Sequence, residues 1–175
     1  MIIRLLREED ALAYQRLRLS ALQESPSAFS ASFEDEANRS INEVAARVRP
    51  AADGSVCMLG VLSTDALAGF VAIIHSPRAK LHHSVELAGM YIAASQRRSG
   101  LGRALLIAAI DHVRSIDGVR QIKLSVNATN TAAKVLYQSA GFEGFERFGV
   151  EPDALHVDGR FYDEEHYMLR LNASD

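Results

Sequence analysis

Residue types able to do chemistry gather first at Arg97-Arg98-Ser99-Gly100-Leu101-Gly102. Met90-Tyr91-Ile92 leaves a candidate strand shortly before this loop, and an amphipathic segment begins at Leu101. A helix start leaves backbone N–H groups without intrahelical acceptors and carries partial positive charge. Glycines there let a phosphate approach the backbone closely. Arg97, Arg98 and Arg103 add full charges nearby. The segment therefore predicts an anion site suited to a pyrophosphate. Taken alone, it fits a plain glycine-rich turn between strand and helix equally well. Two other glycine motifs are excluded. A P-loop needs Gly-Lys followed by Ser or Thr, which the chain lacks. A dinucleotide fingerprint needs a third small residue where Leu105 stands.

A second segment lies downstream. Asn127-Ala128-Thr129-Asn130-Thr131-Ala132-Ala133-Lys134-Val135-Leu136-Tyr137-Gln138-Ser139-Ala140-Gly141-Phe142 resembles the pattern N-x-x-N-x-x-A-x-x-L-Y-x-x-x-G-F. Residues 97–102 resemble R/Q-x-x-G-x-G/A. In this order the two segments resemble the GNAT superfamily of N-acetyltransferases. The resemblance implies central strands that splay apart to hold acetyl-CoA as co-substrate. It implies that Met90, Tyr91 and Ile92 line the pantetheine arm through their backbone. It places the pyrophosphate on Arg97, Arg98, Ser99, Gly100, Leu101 and Gly102, with Arg103 beside them. Asn127, Asn130 and Ala133 would border the cofactor, Asn130 bonding either its arm or the following helix. Tyr137 would set its hydroxyl near the thioester sulfur. One departure stands out: many members carry glycine where this chain has Arg98. Gly100 and Gly102 keep the closest approach.

Acyl transfer to an amine needs a proton acceptor, because an alkyl ammonium cannot attack a thioester. Glu86 is the candidate base, eleven positions ahead of Arg97, where some members of the superfamily carry a catalytic glutamate. Strand alternation predicts that Glu86, Ala88, Met90 and Ile92 share one face. A carboxylate among apolar neighbours would have a raised pKa. The other reading of Glu86 is an ion-paired or half-exposed strand residue. The Met90 N–H is the expected oxyanion donor, and Gly89 supports a close backbone approach there. The expectation is direct transfer in a ternary complex, with Tyr137 serving the departing sulfur.

These groups need a scaffold. Strands are expected at residues 2–6, 55–62, 67–75, 84–92, 122–126, 142–150 and 161–171, with a hairpin turn at residues 63–65 and a loop holding Glu151-Pro152-Asp153 and Asp158-Gly159 between the last two. Helices are expected after Glu8-Glu9-Asp10, at residues 41–48, from Leu101 to Ile116, and at residues 131–140. The fold class is α/β with a mixed sheet of about seven strands and four helices. The whole chain, residues 1–175, reads as one domain.

Composition narrows the function. A net charge of −3 and a pI near 6.1 argue against general nucleic-acid binding. No apolar run reaches membrane-span length, and the N-terminus does not read as a signal peptide. Cys57 is the single cysteine, so no internal disulfide forms, which fits the cytoplasm. It reads as a small buried strand residue rather than a nucleophile. His75, His82-His83, His112, His156 and His166 show no metal spacing, and no metal is expected.

Residues 25–40 read as a loop, and its Phe29 and Phe33, with Glu34-Asp35-Glu36, lie where the family shapes its acceptor pocket. The carboxylates between Glu151 and Glu165 suggest either a cationic acceptor or a solvated acidic face. The partner expected is a small-molecule or peptide amine. Sheet edges leave a homodimer open. The competing reading is a non-catalytic acyl-CoA sensor with the same fold.

Overall fold

The computed structural model describes residues 1–63, 66–145 and 149–171. The order is β1 (Ile2–Leu5), α1 (Ala11–Glu24), α2 (Phe33–Ala37), α3 (Ile41–Val48), β2 (Val56–Ser63), β3 (Ala66–His75), β4 (Ser84–Ile92), α4 (Leu101–Arg114), β5 (Gln121–Asn127), α5 (Thr131–Ser139), β6 (Glu143–Gly144), β7 (Val150–Val157) and β8 (Arg160–Arg170). The eight strands form one sheet in the order β1-β2-β3-β4-β5-β8-β6, and β7 also pairs with β8.

Two differences from the expected elements have local causes. Residues 142–150 do not form one strand: β6 holds only Glu143 and Gly144, and β7 begins at Val150. Residues 146–148 of that span lie outside the described residues, as do Thr64 and Asp65 of the hairpin turn expected at residues 63–65. The segment expected as a loop around Glu34-Asp35-Glu36 folds as α2. Its start is a capping box, in which the Ser32 hydroxyl accepts from the Asp35 N–H and the Asp35 carboxylate accepts from the Ser32 N–H.

Helices cover both faces of the sheet. On one face α4 buries Leu101, Leu105, Leu106, Ala109, Ile110 and Val113 against Val85, Leu87, Ile122 and Leu124. On the other face α1 and α3 bury Tyr14, Leu22, Val44 and Val48 with Phe70 and Tyr91. The Tyr14 and Phe70 rings meet edge-on at 4.9 Å.

Every neighbouring pair of strands is antiparallel except β4 and β5. Those two run parallel and pair only at Ser84–Gln121, Val85–Ile122 and Glu86–Lys123. Beyond Glu86, β4 stays bound to β3 while β5 stays bound to β8. The sheet therefore opens between its central strands, as the expected splay requires.

Candidate active site

The gap between β4 and β5 opens to both faces. A cleft of about 60 Å³ on the α5 side is lined by Met90, Val126, Asn127, Asn130, Ala133 and Tyr137. A wider cleft of about 360 Å³ on the α1 side is lined by Arg18, Phe29, Glu86, Ala88 and Glu164 among others. Ala28, Leu87, Gly89 and Ser125 border both. The structure thus brings Tyr137 and Glu86 to opposite sides of one opening.

Gly89 produces this division. Ala72 pairs with Ala88 and Phe70 with Tyr91, so Val71 opposes two residues, Gly89 and Met90. This is a β-bulge, and Gly89 has φ +59°, a left-handed conformation that costs other residues strain. The expected common face for Glu86, Ala88, Met90 and Ile92 is therefore wrong. The extra residue reverses the alternation: Met90 and Ile92 pack toward α4, while Glu86 and Ala88 face the wide cleft. Glu86 is exposed there rather than held in an apolar shell. The carboxyl with a raised pKa is Glu164, pushed up by burial and further by the charges of Glu151 and Glu86, against the pull of His166.

Tyr137 is held by the end of its own helix. The Phe142 N–H donates to the Tyr137 carbonyl at 3.1 Å, and the Gly141 N–H donates to the Gln138 carbonyl at 3.0 Å. This bond pair is a Schellman motif, which supplies a physical reason for glycine and phenylalanine four and five residues after the tyrosine. The Phe142 ring then packs 6.0 Å from the Tyr137 ring. The Tyr137 hydroxyl has no hydrogen-bond partner among the described residues, and burial pushes its pKa up to about 12.

At the loop, Gly100 caps α4 with φ +86°. The N–H groups of Gly100, Leu101, Gly102 and Arg103 have no acceptor among the described residues. These four donors at a helix N-terminus fit a pyrophosphate. Leu101 offers only its backbone, since its side chain is buried in the core. Arg98 has φ +61°, which accounts for glycine at that place in other members. The expected charges are placed unequally. The Arg97 guanidinium is drawn away by Glu24 at 2.6 Å and lies 5.3 Å from the Tyr91 ring centre. Arg103 reaches the Ser139 hydroxyl at 3.2 Å.

Gly100→Ala tests the loop. A Cβ there meets open space, so the change acts only through the backbone. We expect a loss of about 1–2 kcal/mol in denaturant unfolding. Calorimetric titration should also show weaker CoA binding. Unchanged affinity would remove the loop from the cofactor site.

The remaining expected residues divide. Asn130 caps α5 by accepting from the Ala133 N–H at 3.1 Å, the second of its expected roles. Asn127 borders the narrow cleft, but its amide donates to the Ser27 carbonyl and its oxygen accepts from Thr129. The Tyr91 side chain points to the α1 face, where its hydroxyl donates to Glu24, so only its backbone faces the gap. Phe29 borders the wide cleft, whereas Phe33 lies in an adjoining groove against residues 154–158. The acidic run is not a free anionic surface: Asp35 caps its helix and Glu36 is buried against Arg18 and Arg47. Glu151, Pro152 and Asp153 lie in β7 rather than in a loop. Sequence reasoning missed Arg18 and Ser125, whose cleft positions depend on cross-strand register and on how α1 docks, while Glu164 was one of the carboxylates noted between Glu151 and Glu165.

The splayed sheet, the helix-terminal donors and the facing tyrosine are those of the acetyltransferase (GNAT) family. The profile of that family matches residues 17–142, and the chain belongs to it. A mycothiol acetyltransferase of Renibacterium salmoninarum is 40% identical over 112 residues, covering 62% of this chain but only 33% of the relative. The chain thus spans about a third of that protein's length. An acetyltransferase of the GNAT family from Streptococcus pneumoniae superposes with a TM-score of 0.82 at 22% identity, over 97% of this chain and 99% of that one. A Salmonella typhimurium protein solved with its cofactor acetyl-CoA also gives 0.82 at 22%, over 100% and 96%. Among the described residues no helix is long and apolar enough to cross a membrane.

Proposed function

We propose that the chain is a single acetyltransferase domain that moves an acetyl group from acetyl-CoA to a primary amine of a small molecule or peptide. The observation that carries this reading is the gap below Glu86–Lys123, with an unpartnered Tyr137 hydroxyl on one side and an exposed Glu86 on the other. Acetyl-CoA supplies the activated acyl carbon. The N–H groups of Gly100 to Arg103 hold its pyrophosphate, and the bared backbone of β4 from Gly89 to Ile92 lines its arm. The Met90 N–H is assigned to the developing oxyanion.

The wide cleft admits the acceptor. Glu86 and Glu164 attract an ammonium there, and Glu86 takes its first proton, directly or through a water. Tyr137 stays protonated at every working pH and offers its hydrogen to the departing sulfur. Transfer is direct. Cys57 lies on the α4 face with its sulfur 3.6 Å from His112 Nε2, and burial pushes its thiol pKa up, so it suits no acyl carrier.

Thiol release from acetyl-CoA across a panel of amines tests the reading. CoA binding without turnover across the panel would leave an acyl-CoA-binding module instead. Glu86→Gln is expected to lower kcat about 10²-fold and to remove the acidic limb of the pH–rate profile. A profile of unchanged shape and height would assign the first proton to another group.

A further inference from the structure

One cluster that reaches both clefts through Ser125 has no role in the scheme above. Ser125 on β5 and His166 on β8 are direct cross-strand partners. The Ser125 Oγ lies 2.8 Å from His166 Nδ1. On the far side of the ring, His166 Nε2 lies 3.3 Å from a Glu151 carboxylate oxygen on β7. The Glu151 carboxylate is a charge partner on that side, and because it can only accept it favours the imidazole hydrogen on Nε2. Nδ1 is left as an acceptor facing the serine hydroxyl. This is the order of groups found in catalytic triads, reached here across three adjacent strands.

Proton accounting shows what the cluster could do. An ammonium loses two protons on becoming an amide. Glu86 borders only the acceptor cleft, so it meets the nitrogen before attack. The second proton leaves after the N–C bond forms, where the clefts join and Ser125 stands. Tyr137 raises a further demand. A phenol at about 12 is too weak to protonate a thiolate of ordinary pKa about 8.5 unless a stronger acid restores it. An imidazolium is such an acid.

We propose that Ser125, His166 and Glu151 form a proton relay that carries the second amine proton to the Tyr137 side of the cleft. The inference rests on the acetyltransferase reading. As the N–C bond forms and the C–S bond breaks, the Ser125 oxygen accepts the nitrogen's proton while its own passes to Nδ1. Glu151 holds the resulting imidazolium. Tyr137 gives its hydrogen to the sulfur, and the imidazolium proton returns through Ser125 to restore the phenol. The proton on Glu86 goes to solvent. One proton thus ends on the thiol and one in water.

The charged groups around His166 are Glu151 on β7, Glu164 two positions earlier on β8, Lys123 on the same face of β5, and Glu86 beyond Glu164.

The test combines kinetics with nitrogen NMR of the histidine ring in the free protein. Ser125→Ala and His166→Gln are each expected to lower kcat about 10²-fold with little change in KM for acetyl-CoA. The double variant should lose little more than either single one, because the residues act as a unit. The neutral His166 ring should carry its hydrogen on Nε2. Losses that multiply, a hydrogen on Nδ1, or acetyl trapped on Ser125 would each overturn the relay while leaving the transferase reading intact. Turnover with no amine would instead remove that reading, and the relay with it.

Discussion

Tyr137→Phe is expected to cut kcat about 10²-fold or more while leaving acetyl-CoA affinity nearly unchanged. The ring is what packs, against Phe142 at 6.0 Å, and phenylalanine retains it. The hydroxyl bonds to no described residue, so nothing in the fold depends on it. The variant should therefore melt close to the parent, since the hydroxyl borders the narrow cleft and holds no bond among the described residues. A large fall in rate with stability kept separates a working group from a structural one. Turnover at the parental rate would remove Tyr137 from the mechanism. Alkaline unfolding offers a second reading. The folded pKa is about 12 and the unfolded value about 10. Above pH 10 the unfolded chain releases this proton first, so native stability falls until the folded group also ionises. The fall is on the order of 2 kcal/mol, and Tyr137→Phe should abolish it.

The site was legible where its signals are local. The loop from Arg97 to Gly102 combines glycine, arginine and a helix start within a few residues. The Tyr137 segment carries its own stop signal in Gly141-Phe142, and that signal is the bond pair that fixes the tyrosine. Gly89 drew notice as a strand glycine, but its consequence was inverted. A bulge exchanges the faces of a strand, and alternation read through it sends Glu86 and Met90 to the same side. The groups that complete the acceptor cleft are non-local. Ser125 and His166 are 41 positions apart and meet only through the β5–β8 register. Glu36 read as one member of an acidic run because a charge's partner is invisible until the helices dock. Its neighbour Asp35 is bound three residues away and was readable as a cap.

Glu36→Ala should be the most destabilising of these substitutions. Glu36 is 1% exposed and holds Arg18 at 3.1 Å and Arg47 at 3.0 Å. Arg18 is itself buried, with its guanidinium 4.5 Å from the Phe29 ring centre. Removing the carboxylate strands a cation in the core, which costs about 3–5 kcal/mol. Burial pushes the Glu36 pKa up, but the bonds and charges of Arg18 and Arg47 outweigh this and hold it below the usual value. A depressed carboxyl contributes its stability above the unfolded pKa and loses it as pH falls through the folded one. The parent should therefore lose stability on acidification below the ordinary glutamate range, and Glu36→Gln should flatten that part of the curve. Function should follow, because the same guanidinium borders the wide cleft at Gly89, with Nη1 3.9 Å from where a Cβ would stand. With the folded fraction held constant, Glu36→Gln is expected to raise KM for the acceptor while KM for acetyl-CoA stays near the parent's. Equal changes in both would show that Arg18 supports the sheet as a whole and does not shape the acceptor side.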